Sequence, residues 1–203
     1  MKLYYMAGAC PLAAHIVLEW TGARYEAEQL RHDDLKKQAY LRVNPIGAVP
    51  ALEVDGSIIT QNGGVLTYLA EAYPDAQLGG DGTPRGNAEV HRWLGLVNSD
   101  IHPAFKPLFG STSYLEDEAF IDKSKAHSRR TLRRLFEIVD TQLKGRDWIT
   151  GKRSIADAYL FVVVRWAHAA RIDLSDLAEI ARYYERLQKD SGVTRALTAE
   201  GLS

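Results

Sequence analysis

The chain has 203 residues, 46% hydrophobic and 25% charged, enough for one large or two small domains with a proper core. Its Lys+Arg 25 against Asp+Glu 26 leaves a net charge of -1, which argues against a nucleic-acid binder. One cysteine excludes an internal disulfide framework and any multi-cysteine metal site, and no apolar signal core or membrane-length apolar run is present, so a soluble cytoplasmic protein is expected.

In chain order, Leu3-Tyr4-Tyr5-Met6 is a short aromatic strand broken by Gly8. Ala9-Cys10-Pro11 leads into a helical pattern through Leu12, Ala13, Ile16, Val17 and Trp20. Pro11 suits the first helical position and Gly22 the position just past the helix end. Residues 25–30 read as a second strand, and residues 31–38 as polar loop or a frayed helix. Asn44-Pro45-Ile46-Gly47-Ala48-Val49-Pro50 packs two prolines and a glycine ahead of a strand-like run. A cis Val49-Pro50 bond would turn the chain sharply and present the Val49 N–H and C=O to an extended peptide, which would pair as an added strand. An ordinary loop is the other reading. Asp55-Gly56, flanked by Ala51-Leu52-Glu53-Val54 and Ser57-Ile58-Ile59, marks a hairpin. Gln61-Asn62 then precedes a helix with Val65, Leu66, Tyr68, Leu69 and Ala72 on its apolar side. The order β-α-β-loop-β-β-α is that of a small mixed sheet with helices over one face.

Residues 74–87 are rich in Gly, Asp and Pro without apolar periodicity, which places a domain boundary there. Beyond it only helices are predicted. Val90, Leu94, Val97, Ile101, Phe105 and Leu108 form one stripe, and Ile121, Leu132, Leu135, Phe136, Val139 and Leu143 a second. Ser154-Ile155-Ala156-Asp157 reads as a capping box with Asp in place of Glu. The segment it opens is apolar nearly all round, as a buried central helix is, and burial is expected to override the poor helix propensity of Val162-Val163-Val164. Further helices are predicted over residues 177–188 and 193–197.

These pieces resemble a cytosolic glutathione transferase, and most closely the bacterial beta class. The marks are Met1-Lys2-Leu3-Tyr4-Tyr5, Gly8-Ala9-Cys10, Pro45-Ile46-Gly47-Ala48-Val49-Pro50-Ala51-Leu52, Trp148-Ile149-Thr150-Gly151, Ser154-Ile155-Ala156-Asp157-Ala158-Tyr159-Leu160-Phe161 and Ala199-Glu200-Gly201-Leu202. The resemblance implies an α/β thioredoxin-like N-terminal domain (residues 1–77) and an all-α helical-bundle C-terminal domain (residues 85–203). It also implies a homodimer and glutathione as cosubstrate; no metal, nucleic-acid or membrane partner is expected. Where the family usually has an acid or Gln followed by Ser, this chain has Gln61-Asn62. Both side chains donate and accept hydrogen bonds, but the missing carboxylate weakens the expected contact with the glutathione ammonium group.

The resemblance singles out Cys10, His102 and Tyr5 as catalytic candidates. Cys10 precedes a helix N-terminus, whose positive end and free N–H groups favour a thiolate; an inert buried thiol is the alternative. Tyr5 lies near where tyrosine-type relatives carry a catalytic hydroxyl, and otherwise reads as a core aromatic. His102, in Ile101-His102-Pro103-Ala104-Phe105, matches the histidine that beta-class enzymes project from the helical domain; a packed histidine is the alternative. Val49, Pro50, Gln61, Asn62 and Lys36 (or Lys37) are the expected glutathione contacts. Phe105, Phe109, Tyr159 and Trp166 are candidates for the pocket of a small, mainly apolar electrophile, or for core packing. His15 and Asp157 read as structural, and Arg129-Arg130 with Arg133-Arg134 as a solvated helix face. The activity this implies is conjugation of the glutathione thiol. The alternatives are a glutathione-dependent thiol–disulfide or lyase-type reaction through Cys10, and a non-catalytic ligand-binding or regulatory protein.

Overall fold

The computed structural model describes residues 1–202. Strand β1 (Lys2–Tyr5), helix α1 (Leu12–Thr21) and strand β2 (Glu26–Gln29) come first. They are followed by a 3-10 turn (His32–Lys36), the short helix α2 (Gln38–Leu41), the hairpin β3 (Ala51–Val54) and β4 (Ser57–Thr60), and α3 (Asn62–Ala72). The sheet order is β2-β1-β3-β4, with β1 and β2 parallel and the other pairs antiparallel. Asp55 and Gly56 sit at φ 48° and 79°, the two left-handed positions of a type I′ turn. This is a thioredoxin-like domain. Alternation along β1 sends Leu3 and Tyr5 beneath α1 and α3 and Tyr4 to the other face. On that other face α2, absent from the sequence reading, packs Tyr40 against Tyr4 with ring centroids 5.8 Å apart.

The helical domain starts inside the stretch read as linker. Helix α4 (Pro84–Leu96) opens at Thr83, whose Oγ1 accepts the Gly86 N–H at 3.0 Å, with Pro84 in its first turn. The stripe Val90, Leu94, Val97, Ile101 and Phe105 is buried as expected, but the helix carrying it is not continuous. A π turn (Val97–Ile101), the short α5 (His102–Ala104) and a 3-10 turn (Lys106–Phe109) follow one another, because Pro103 and Pro107 cannot donate to the preceding turn. Then come α6 (Glu118–Leu143), α7 (Ile155–Ala169), α8 (Ala178–Gln188) and α9 (Ser191–Ala199). Helix α7 is central, and Val162, Val163 and Val164 are fully buried in it; here packing outweighs propensity. At its start the Asp157 carboxylate accepts the Ser154 N–H at 2.9 Å and also the Ile149 N–H at 2.9 Å. The second bond ties down the preceding loop. Helices α7 and α9 both pack on α1, which sets the helical domain beside the end of β1.

Candidate active site

From Tyr5 the chain leaves the sheet through a tight turn, residues 6–10. Gly8 stands there at φ 73°, a left-handed conformation that suits glycine. Its N–H donates to Glu200 Oε2 at 2.8 Å, and its carbonyl accepts the Trp166 Nε1–H at 2.8 Å. Side chains of the helical domain therefore grip the turn that carries Cys10.

Cys10 is 9% exposed, and its Sγ donates to the Val49 carbonyl at 3.6 Å. The Val49-Pro50 peptide is cis. Its loop is pinned at the Ala48 carbonyl, which accepts from Tyr40 Oη at 2.7 Å and Asn44 Nδ2 at 2.6 Å. Asn62, the first residue of α3, donates from Nδ2 to the Cys10 carbonyl at 3.0 Å. Its Oδ1 is buried with no partner among the described residues. Opposite these groups, His102 Nδ1 meets the Tyr159 hydroxyl, and the imidazole packs edge-on against Trp166 at 4.8 Å. Trp166 also meets Phe109 at 5.2 Å, and Phe109 stacks on Phe105 at 5.6 Å. Between the two walls lies a cavity of about 820 Å³, within the range of small-molecule sites.

Enclosure sets the electrostatics. Burial pushes the Cys10 thiol up to about 12, and the nearby Glu200 charge adds to this. Burial thus favours the neutral thiol over the thiolate that the helix terminus alone would favour, and the sulfur donates to the Val49 carbonyl. Burial likewise pulls His102 down to about 4, helped by the Lys106 charge, so its imidazole is neutral at pH 7. Burial raises Tyr159 well above the usual phenol range, which keeps its proton in place.

Two family models match the chain: "Glutathione S-transferase, N-terminal domain" over residues 1–71, and "Glutathione S-transferase, C-terminal domain" over residues 100–189. The chain belongs to the glutathione S-transferase family. It is 49% identical to glutathione S-transferase GST-4.5 of Xanthomonas campestris, over 100% of both chains. It is 34% identical to the bacterial beta class glutathione S-transferase of Sphingomonas chungbukensis, with a TM-score of 0.89 over 100% of both chains. A sphingomonad glutathione S-transferase complexed with glutathione matches at 34% identity, with a TM-score of 0.88 over 100% of both chains.

Within this family fold, Cys10, Val49, Pro50, Gln61, Asn62, His102, Phe109, Tyr159 and Trp166 all line the cavity. Tyr5, Lys36 and Phe105 do not. Tyr5 points into the core by strand alternation, is 6% exposed and meets the His15 ring at 5.4 Å. Its side chain is not part of the cavity lining. Phe105 is fully buried beneath Phe109. Lys36 is exposed on its 3-10 turn, and Lys37 is paired with Asp34 at 2.6 Å; Leu35 from the same turn lines the cavity instead. His15 is buried against Glu200 at 3.1 Å, and Arg133 is held by Asp176 and Glu137 on the outer face of α6. Sequence reasoning gave no role to Glu200, Lys106 or Arg165. For Glu200 the signal was present in the motif Ala199-Glu200-Gly201-Leu202, but its partners lie 185 and 192 residues away.

Proposed function

We propose that the protein joins the glutathione sulfur to small, mainly apolar electrophiles. The observation that carries this is the meeting, in one cavity, of Cys10 and the Val49 turn with His102, Tyr159 and Trp166 of the helical wall. In this reading the Val49 backbone pairs with the cysteinyl part of glutathione as an added strand would. The Val49 carbonyl uses one lone pair for the Cys10 thiol and keeps a second for a peptide N–H. Gln61 and Asn62 hold the γ-glutamyl end, with the unpartnered Asn62 Oδ1 as an acceptor for its ammonium group. Tyr159, which keeps its proton, donates to His102 Nδ1. That leaves the imidazole hydrogen on Nε2, as a neutral donor to the glutathione sulfur. The sulfur attacks the electrophile, the C–S bond forms, and the leaving group departs with its electron pair while the thiol proton goes to water. The burial of Cys10 counts against a primary thiol–disulfide role.

The same reading divides the chain into a glutathione-binding domain, residues 1–77, and a helical domain lining the electrophile site, residues 85–203. It makes the protein a homodimer of the cytoplasm, where glutathione is abundant. Among the described residues no helix is long and apolar enough to cross a membrane. The test is a calorimetric glutathione titration together with conjugation of a chloronitrobenzene under saturating glutathione. No heat of binding at millimolar glutathione, with no thioether formed above the uncatalysed rate, would overturn the proposal.

A further inference from the structure

The charged side chains that line the cavity are of one sign, with the buried Glu200 carboxylate behind the turn at Gly8, 2.8 Å from its N–H. None of its lining residues is Asp or Glu, whereas Lys106 and Arg165 both line it. Among the described residues neither forms an ion pair, unlike Arg92, Arg133, Arg182 and Arg195. Both belong to the helical wall, across the cavity from Val49. Arg165 directly precedes Trp166 on α7, and its guanidinium lies close over Gly8, where an added Cβ would meet Nη1 at 3.6 Å. Lys106 stands between Phe105 and Pro107, three residues before Phe109, near enough to His102 for its charge to act on the imidazole. Both cations therefore stand on the wall that carries Phe109 and Trp166, whose rings meet at 5.2 Å.

We propose that Lys106 and Arg165 select electrophiles that carry a carboxylate on an aromatic or conjugated body. This rests on the transferase reading and names its substrate class. The body packs on Phe109 and Trp166, and the carboxylate is drawn by the positive charge of the two cations. An acid-free lining with low-dielectric walls raises the local concentration of anions; Lys106 is exposed and Arg165 half-buried, so the two act chiefly through their summed field, which salt screens.

The experiment compares 4-chloro-3-nitrobenzoate with 4-chloro-3-nitrobenzamide, neutral and of nearly the same shape. In both, the glutathione sulfur bonds to the ring carbon bearing chlorine, chloride leaves with the bonding pair and the thiol proton passes to water. Each kcat/KM is divided by the uncatalysed rate constant, which removes the difference in ring activation. The expected result is a preference of at least tenfold for the benzoate, carried by KM and falling as salt rises. Lys106→Gln and Arg165→Gln should each reduce the preference about three- to tenfold, and together bring it near one, while the KM for glutathione stays within twofold. Arg165→Lys should retain most of the preference, which separates charge from packing around Gly8. Turnover of both compounds without preference, or a preference that survives the double substitution, overturns this inference alone. So does a KM change confined to glutathione, which would assign the cations to the cosubstrate. Turnover of neither compound overturns the transferase reading and this inference with it.

Discussion

Iodoacetamide should alkylate Cys10 slowly at neutral pH, at a rate still climbing at pH 9. Burial moves this thiol from 9.0 to about 12, so at pH 7 its thiolate is about a thousandfold scarcer than that of an ordinary thiol. Nucleophilicity rises with pKa on a Brønsted slope of about 0.4–0.5, which over three pH units returns roughly sixteen- to thirtyfold. The net rate should then be about thirty- to sixtyfold below that of an exposed cysteine, before any hindrance from enclosure. The assay is mass-resolved alkylation of the single cysteine from pH 6 to 10, with an unstructured cysteine peptide as reference. Cys10→Ala should keep measurable conjugation, because a sulfur so weakly ionised supplies no nucleophile. It should abolish any mixed disulfide, which needs the second sulfur. An inflection at or below pH 7, alkylation at the peptide's rate, or complete loss of conjugation in the alanine variant would refute the reasoning.

The same thiol predicts an alkaline weakness. A folded pKa above the unfolded one contributes stability that is complete below about pH 9 and is lost as pH rises toward 12. Between pH 9 and 10.5 denaturant titrations should show the parent losing about 2 kcal/mol more than Cys10→Ala; parallel curves would contradict this. Gln61→Ala should weaken glutathione binding by about ten- to a hundredfold, the worth of one hydrogen bond to a charged group, and an unchanged Kd would put the γ-glutamyl end elsewhere. Asp157→Ala strands the buried Ser154 and Ile149 N–H groups, so a loss of about 2–6 kcal/mol is expected at about 1–3 kcal/mol per group; a loss below 1 kcal/mol would show that the loop finds other partners.

What was legible in the sequence is what local chemistry dictates. Asp55-Gly56 turns the hairpin and Gly22 caps α1 because each needs only its own neighbours to adopt φ above zero. Ser154 and Asp157 meet because three residues of helix bring them together. Helix α2 escaped because four residues carry no period. The π turn before His102 escaped because an apolar stripe reads the same whether the helix is regular or widened by one residue. Tyr5 was legible as the core aromatic that the sequence offered beside the catalytic reading: two residues after Leu3 on one strand, it shares the core face. The state of Cys10 was not legible. Its position at a helix terminus is local, but its surroundings include groups distant in sequence, the Val49 carbonyl and Tyr159, and burial among them raises the pKa that the terminus would lower.

The turn that carries Cys10 belongs to the first domain by sequence and to both domains by hydrogen bonding. Glu200 spends one carboxylate oxygen on the Gly8 N–H at 2.8 Å and the other on His15 Nδ1 at 3.1 Å. His15 sits on α1 with its ring edge-on to Tyr5 and Tyr25, and Trp166 holds the Gly8 carbonyl. The end of α9, the body of α1 and the residue 6–10 turn therefore form one buried unit. Sliding the helical domain away from the sheet breaks both Glu200 contacts at once, and each hydrogen bond to a charged group contributes about 1.5–3 kcal/mol. Two of them bias the closed arrangement by about 3–6 kcal/mol, so fewer than about one molecule in a hundred has this contact open. The spacing between the Val49 turn and the His102 wall is thus set before any ligand arrives. A site built this way loses little affinity to ordering on binding, and in the proposed reading discrimination among electrophiles falls to the side chains of the helical wall that line the cavity, Lys106, Phe109, Arg165 and Trp166.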